Sequence, residues 1–399
     1  MRQDIQTHWM ILVMAIVLSA TGFAAEEPKS EFPLGPELQN VPLEELEKNY
    51  EGKTPPEGIR MYLSIVKGGR LGPGEGWFGP GQSRFSYQWL VERCGVGADG
   101  PGISRDKFTG PAVMFDRFDR NRDGMIARFD LDWSDDNPWV EHAYLANRLF
   151  RQMNKTGDGR LTRDQWVAFF DEAASGKEVV SASMLREHWL TGLGGGFLPG
   201  DAPTTEQLLY GLFTGEVGSM QEGPALNAKA PDFTLKTPDG AQTMRLSDKI
   251  GKQPVVLVFG NYTCGPFRMM YAEVDEIARR YRDQAVFLGV YVREAHPTDG
   301  WSMRSNEKVG VSVAQPKSLL ERTAVAQQCF VRLKPSLPWL VDEIDDATGH
   351  AYSGMPAWLY VIDSAGTIAY KSGRGPFGFK PGEMEQALLM TLMEQSPPP

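Results

Sequence analysis

Pro254-Val255-Val256-Leu257-Val258-Phe259-Gly260-Asn261-Tyr262-Thr263-Cys264-Gly265-Pro266-Phe267 decides the architecture of the C-terminal half. The apolar, valine-rich run from Pro254 to Phe259 reads as a buried strand. Beyond Phe267, the residues Met270, Val274, Ile277 and Tyr281 recur at helical spacing. Cys264 therefore lies where a strand ends and a helix begins. There the helix dipole and free backbone N–H groups favour a thiolate, so the spacing predicts a thiol pKa below the ordinary value.

A second strand is expected over Ala285 to Val292, followed by Arg293-Glu294-Ala295-His296-Pro297-Thr298-Asp299-Gly300-Trp301. One helix joins the two strands, so they should run parallel and open on the same sheet edge, where α/β proteins place ligands. Glu294 and His296 are expected to face the crevice that holds Cys264. A thiolate, a carboxylate and an imidazole suit nucleophilic attack with proton delivery to a leaving atom. Trp339 to Asp342, Gly354 to Asp363 and Gly366 to Tyr370 supply further strands, and a closing helix starts near Glu383. Pro356, opening a strand before a hairpin, is where a cis-proline would stand beside the cysteine. The strand order resembles a thioredoxin-like domain.

The preceding region has helical periodicity interrupted by acidic, glycine-centred loops. Asp119-Arg120-Asn121-Arg122-Asp123-Gly124-Met125-Ile126-Ala127-Arg128-Phe129-Asp130 places oxygen side chains at loop positions 1, 3, 5 and 12, with glycine at 6. Calcium takes several oxygen ligands, glycine makes the sharp turn, Met125 would offer its carbonyl, and Ile126 would pair with a neighbouring loop. Asp130 replaces the usual Glu, which predicts weakened calcium affinity or a relative gain for Mg²⁺. A poorer match contains Asn154, Thr156, Asp158, Arg160 and Gln165, with Asp158 as its only carboxylate at these positions. It reads as a partner loop that holds the first. An earlier fragment from Asp99 to Phe108 carries Lys107 where the last ligand belongs and reads as a relict. Residues 83–170 resemble an EF-hand domain.

The chain has 399 residues with a formal charge of −10, 41% apolar and 23% charged residues, which excludes general disorder and argues against nucleic-acid binding. Three cysteines without a C-x-x-C exclude a disulfide framework and a zinc ribbon. Arg2, an apolar run from Trp9 to Ala20 and small residues up to Ala25 read as a cleaved secretory signal peptide, giving an exported, periplasmic or extracellular protein with no stable membrane span. The organisation expected is thus α+β and multidomain. It comprises a signal peptide (1–25), a Gly/Pro-rich segment (26–81), a helical EF-hand domain (82–172), a connector of unassigned role (173–227) and an α/β thioredoxin-like domain (228–395). A homodimer is compatible with this organisation.

Four segments of the C-terminal domain, 258–267, 291–301, 355–362 and 370–376, closely resemble iodothyronine deiodinases, and the block Glu294-Ala295-His296-Pro297-Thr298-Asp299-Gly300-Trp301 is the most specific of them. The resemblance implies an oxidoreductase of the thyroxine 5'-deiodinase type, acting on an iodinated or otherwise halogenated aromatic with an external thiol as cosubstrate. It implies that Cys264 stands at the family's selenocysteine position, with Glu294 and His296 assisting. Cysteine there implies slower chemistry. Tyr262 occupies a place where family members often carry a second cysteine, and Gln315 to Leu319 lacks a histidine of the vertebrate enzymes. Cys329 is expected on a helix, with core packing favoured over a resolving role. Two other functions compete. A peroxide or thiol–disulfide reductase is suggested by Ala230-Pro231-Asp232-Phe233-Thr234-Leu235, although Asn261 stands where a peroxidase would carry threonine; a non-enzymatic, calcium-responsive binding module is the other.

Overall fold

The computed structural model describes residues 43–53, 55, 57–68, 80–97, 100–190, 201–214, 217 and 222–395. The expected signal peptide, most of the Gly72–Gly81 stretch, Asp99 and Gly192–Gly196 lie outside them. In chain order the elements are α1 (Leu43–Asn49), α2 (Glu57–Val66), β1 (Gln82–Ser83), α3 (Tyr87–Arg93), β2 (Ile103–Ser104), α4 (Ala112–Phe118), β3 (Met125–Ile126), α5 (Arg128–Leu131), α6 (Pro138–Met153), α7 (Arg163–Ala174), α8 (Ala182–Leu190) and α9 (Thr205–Thr214). There follow β4 (Thr234–Lys236), β5 (Thr243–Arg245), β6 (Val255–Gly260), α10 (Gly265–Tyr281), β7 (Val286–Tyr291), α11 (Arg304–Lys308), α12 (Leu319–Leu333), β8 (Trp339–Val341), α13 (Ala347–Tyr352), β9 (Trp358–Ile362), β10 (Ile368–Lys371) and α14 (Pro381–Gln395).

The fold is mixed α/β. All six residues of β6 are buried, as a strand covered on both faces requires. It pairs in parallel with β7, from Val255 opposite Val286 to Gly260 opposite Tyr291, and antiparallel with β9 on its other side. The sheet order is β1-β10-β9-β6-β7-β8-β4-β5. Two parallel strands joined by α10, then the β9–β10 hairpin and α14, reproduce the expected strand order. The Met355–Pro356 bond is cis.

The helical half is not a separate body resting on this sheet. Residues Gln82 and Ser83 add β1 to the sheet edge beside Lys371 and Tyr370. A single buried apolar cluster runs from Phe85, Leu90, Phe115 and Phe118 through Val256 and Leu257 to Leu388 and Met393. Helix α14 lies between the halves, which explains its lack of one exposed face: ten of its residues are buried. The connector helix α9 packs Leu208, Leu209 and Leu212 against Ile59, Tyr62 and Ile65 of α2, with Trp301 and Phe377 against this second cluster.

The loop pairing differs from expectation. Ile126 pairs with Ile103 of the earlier fragment, and Met125 with Ser104. The 154–165 loop is therefore not the partner that holds 119–130. An aliphatic residue presented by the degenerate fragment suffices for a two-residue ladder, because that ladder is backbone hydrogen bonding and needs no ligand.

Candidate active site

The chain leaves β6 at Gly260, turns through Asn261, Tyr262 and Thr263, and enters α10 at Gly265. Cys264 is the residue that precedes the helix, as its place between strand and helix predicts. The turn is built on Asn261, fully buried, whose Oδ1 accepts the Cys264 N–H at 2.9 Å and the Ala295 N–H at 3.3 Å. Its Nδ2 donates to the Pro356 carbonyl at 2.9 Å. One amide thus ties the cysteine turn, the end of the β7 segment and the cis-proline together. A residue with one acceptor and one donor arm was required, and Asn supplies both.

Cys264 opens into a cleft of about 1290 Å³ shared by both halves of the chain. His296, Trp301, Pro356 and Phe377 line it from the α/β side, and Trp139 and Tyr144 of α6 from the helical side. The cysteine itself is 2% exposed. Burial pushes its thiol up to about 11, opposed by the Phe267 N–H and the Arg268 guanidinium, with the Glu294 carboxylate adding to the rise. The lowered value expected from the helix terminus is thus overturned in the resting site. Desolvation of a fully enclosed thiolate outweighs one helix end and one cation.

His296 sits half-buried on the cleft wall, its ring edge-on to Trp301 with centroids 4.6 Å apart. Its Nδ1 lies 3.1 Å from the Trp301 carbonyl oxygen. That oxygen can only accept, so Nδ1 carries the proton and Nε2 is the basic nitrogen. The enclosing walls lower the imidazole to about 4, the Trp301 carbonyl acting against them, so the ring is neutral at neutral pH.

Glu294 does not face the crevice. It is wholly buried, its Oε2 accepts from the Thr263 N–H at 2.8 Å and the Thr263 hydroxyl at 2.7 Å, and its Oε1 takes the Tyr291 hydroxyl. The Thr263 hydroxyl oxygen accepts the His296 N–H at 2.9 Å. Glu294 is therefore a positioning residue that fixes Thr263, and through it the backbone of both Cys264 and His296. Burial raises its carboxyl, with the Tyr291 and Thr263 hydrogen bonds acting in the opposite sense. Beyond the end of β7 the chain carries its side chain onto Thr263 and Tyr291, so closeness in sequence to His296 misplaced it.

Several residues escaped sequence reasoning. Asp201, from the connector, is 1% exposed and lines the cleft; its two oxygens accept the Arg304 and Ser305 N–H groups at 2.6 and 3.0 Å, capping α11 from a distant segment. Thr263 and Tyr291 were within the quoted motifs but had no role there. Cys329 is buried on α12, where burial raises its thiol well above the ordinary value, and it does not line the cleft. All three cysteines are free.

In the 119–130 loop, Asp119 accepts the Asp123 and Gly124 N–H groups at 3.1 and 3.0 Å. Gly124 takes a φ of +87°, the left-handed turn expected at position 6. Asp130, wholly buried, accepts from the Arg120, Asn121 and Ala127 amides. Asn121 and Asp123 meet each other at 2.8 Å, and Met125 lies in β3. In the 154–165 loop, Asn154 Nδ2 donates to Thr156 Oγ1, Asp158 Oδ1 and the Arg160 carbonyl, while its Oδ1 accepts the Gly159 N–H. An amide nitrogen thus stands among the oxygens an ion would need, and Gln165 turns back to cap its own helix at Thr162. Among the described residues no three His, Cys, Asp or Glu side chains converge on a point that could hold a metal ion.

Residues 204–391 match the family model described as iodothyronine deiodinase. Thyroxine 5-deiodinase of Rattus norvegicus is 34% identical over 156 residues, 39% of this chain and 50% of that protein. Thyroxine 5-deiodinase of Gallus gallus is 31% identical over 203 residues, 48% of this chain and 77% of its own length. Type I iodothyronine deiodinase of Xenopus laevis is 32% identical over 134 residues, 34% of this chain and 51% of its own. The chain spans about half the length of most of the curated relatives it matches.

Proposed function

The chain belongs to the iodothyronine deiodinase family, and from that premise we propose that it is a thiol-dependent oxidoreductase that removes iodine from an iodinated aromatic ring. The observation that carries this reading is the meeting, in one aromatic-walled cleft of about 1290 Å³, of the Cys264 thiol and a neutral imidazole whose basic nitrogen is Nε2. A cleft of that size admits a substituted one- or two-ring ligand.

The chemistry requires a proton on the ring carbon as iodine leaves it. Cys264 starts as the thiol; His296 Nε2 takes its proton as sulfur approaches iodine. Sulfur then bonds iodine, the carbon–iodine electron pair stays on the ring carbon, and the imidazolium returns the proton to that carbon. The products are the deiodinated ring and a sulfenyl iodide on Cys264. An external thiol attacks that sulfur, releasing iodide and a proton and leaving a mixed disulfide. A second thiol releases Cys264 and carries away the oxidised cosubstrate. Glu294 and Thr263 hold the two reacting side chains in register throughout, and Asn261 keeps the turn closed.

The test is iodide release from an iodinated phenol and from an iodothyronine by the purified protein with excess dithiothreitol. Release should be saturable and should fall at least 100-fold in Cys264→Ser, a loss of about 2.7 kcal/mol in transition-state stabilisation. No release from either substrate would sink the proposal.

Calcium binding by the 119–130 loop is a second proposal. It is supported by the helix–loop–helix order of α4 and α5, the Gly124 turn and the ladder of Ile126 on Ile103. Asp119, Asn121, Asp123, Asp130 and the Met125 carbonyl would be the ligands, with Asp130 giving up backbone amides to reach the ion.

A further inference from the structure

We propose that Arg268 is the charge partner of the Cys264 thiolate, and that the 154–160 loop of the helical half holds it in place, which makes that half a working part of the active site. The proposal rests on Cys264 being the reacting thiol.

Arg268 stands one turn after Cys264 on α10, and the residue is 3% exposed. Its Nη2 would be 3.8 Å from a β-carbon placed on Gly265, so the cation lies over the helix start. The three hydrogen bonds it makes all go to neutral oxygens: the Tyr262 carbonyl, Asn306 Oδ1 at 2.8 Å and the Gly157 carbonyl at 3.3 Å. Asn306 in turn donates to the Thr263 carbonyl at 2.7 Å, closing a ring around the cysteine turn. Among the described residues no carboxylate forms an ion pair with Arg268. A buried cation with neutral hydrogen-bond partners and no carboxylate favours any negative charge that develops beside it. The thiols of Cys329 and Cys264 are the groups near it that can develop one, and Cys264 is the one that lines the cleft.

The second half of the proposal concerns what keeps the guanidinium there. The loop presents consecutive carbonyls to the α/β half: Thr156 to Arg332 at 2.8 Å and Gly157 to Arg268. Arg160 reaches the Leu333 carbonyl at 2.6 Å. Gly159, at a φ of +74°, lies so close to α10 that a β-carbon there would come within 2.4 Å of the Met269 carbonyl oxygen and 2.7 Å of that of Arg268. These are backbone atoms and cannot step aside. The loop keeps its shape without an ion because Asn154 donates to Thr156, Asp158 and Arg160 from within. Its loss of ligands is thus coherent with a structural role on α10.

Other groups act on the same thiol and set what the experiment must separate. Glu294 opposes its ionisation from the β7 side, and the Phe267 N–H favours it. Arg268 itself is flanked by Cys329, Arg332 and Tyr262. His296 and Asp201 line the same cleft, and the Arg268 cation disfavours protonation of the imidazole while Asp201 favours it.

The experiment measures the rate of Cys264 alkylation by iodoacetamide between pH 7 and 10, read on the Cys264 peptide by mass spectrometry so that Cys94 and Cys329 do not interfere. In Arg268→Met the rate at pH 8 should fall about tenfold, one pH unit of displacement. Arg268→Lys, which keeps charge but not the fork, should recover a part of that loss. Gly159→Ala, which leaves Arg268 untouched, should slow alkylation in the same direction by lifting the loop from α10. Thermal unfolding confirms which variants fold; should Arg268→Met fail, Arg268→Lys and Gly159→Ala decide. Alkylation profiles that superimpose on the wild type in the folded variants would overturn the proposal. Because no iodinated substrate is used, a failure of the deiodinase reading leaves this result standing, and the reverse also holds.

Discussion

Individual side chains in the cleft are tuned by enclosure more than by neighbours. Cys264 is pushed up and His296 down, so the resting site is a neutral pair rather than a thiolate–imidazolium pair. For His296 the sign is definite. Its folded value of about 4 lies below the ordinary value of about 6.5, so the unfolded chain binds the proton more readily. Its contribution to stability is complete above about 6.5 and is lost as pH falls toward 4. Proton-coupled NMR of the imidazole should accordingly show a neutral ring at pH 5.5, and urea unfolding should lose more stability between pH 7 and 5 in the wild type than in His296→Asn. A ring that titrates near 6.5 would refute the enclosure argument. Glu294 illustrates the limit of reading at this scale. Its identity and position in the motif were plain, yet whether it points to substrate or to Thr263 depended on which face of β7's continuation met the β6–α10 turn.

Among the elements, strands and helices of the α/β half were legible because their apolar periods are long and uninterrupted. The strand expected at Ala285–Val292 appears as β7, and the helix following Cys264 runs to Tyr281. Loop partnership was not legible, because it depends on two-residue ladders that carry no composition signal. The 119–130 loop pairs with 103–104, while 154–160 is applied to α10. This assignment separates the two acidic loops in their expected response to calcium. Isothermal calorimetry should give a single weak site per chain, abolished by Asp119→Ala and unaffected by Asp158→Ala. Heat that disappears with Asp158→Ala instead would reverse the assignment. Heat in neither would remove calcium from the account.

At the scale of the whole molecule, helical and α/β parts share one core. Arg84, at the start of the helical part, pairs with Asp363 at 2.7 Å and also reaches Glu394. Trp133 donates to Gln386 at 2.7 Å, and Gln386 donates to the Asp130 carbonyl at 2.9 Å. Contacts of this kind, with α14 buried on several sides, couple the parts energetically. Residues 80–395 should therefore unfold in one transition when followed by calorimetry and near-ultraviolet circular dichroism together. Two resolved transitions, one of them confined to the helical part, would contradict the shared core.

By itself the sequence determined the mixed α/β sheet around β6, the placing of Cys264 between strand and helix, the cis-proline position beside it and the family. These follow from local period and short motifs, which act over a few residues. Only the tertiary structure decided that Glu294 supports rather than faces the cleft, that Asp201 caps α11, that α6 walls the thiol's cavity, and that a ligand-poor loop holds Arg268. Each of these joins segments far apart in the chain, and such meetings are set by the closing of the shared core, which no local pattern encodes.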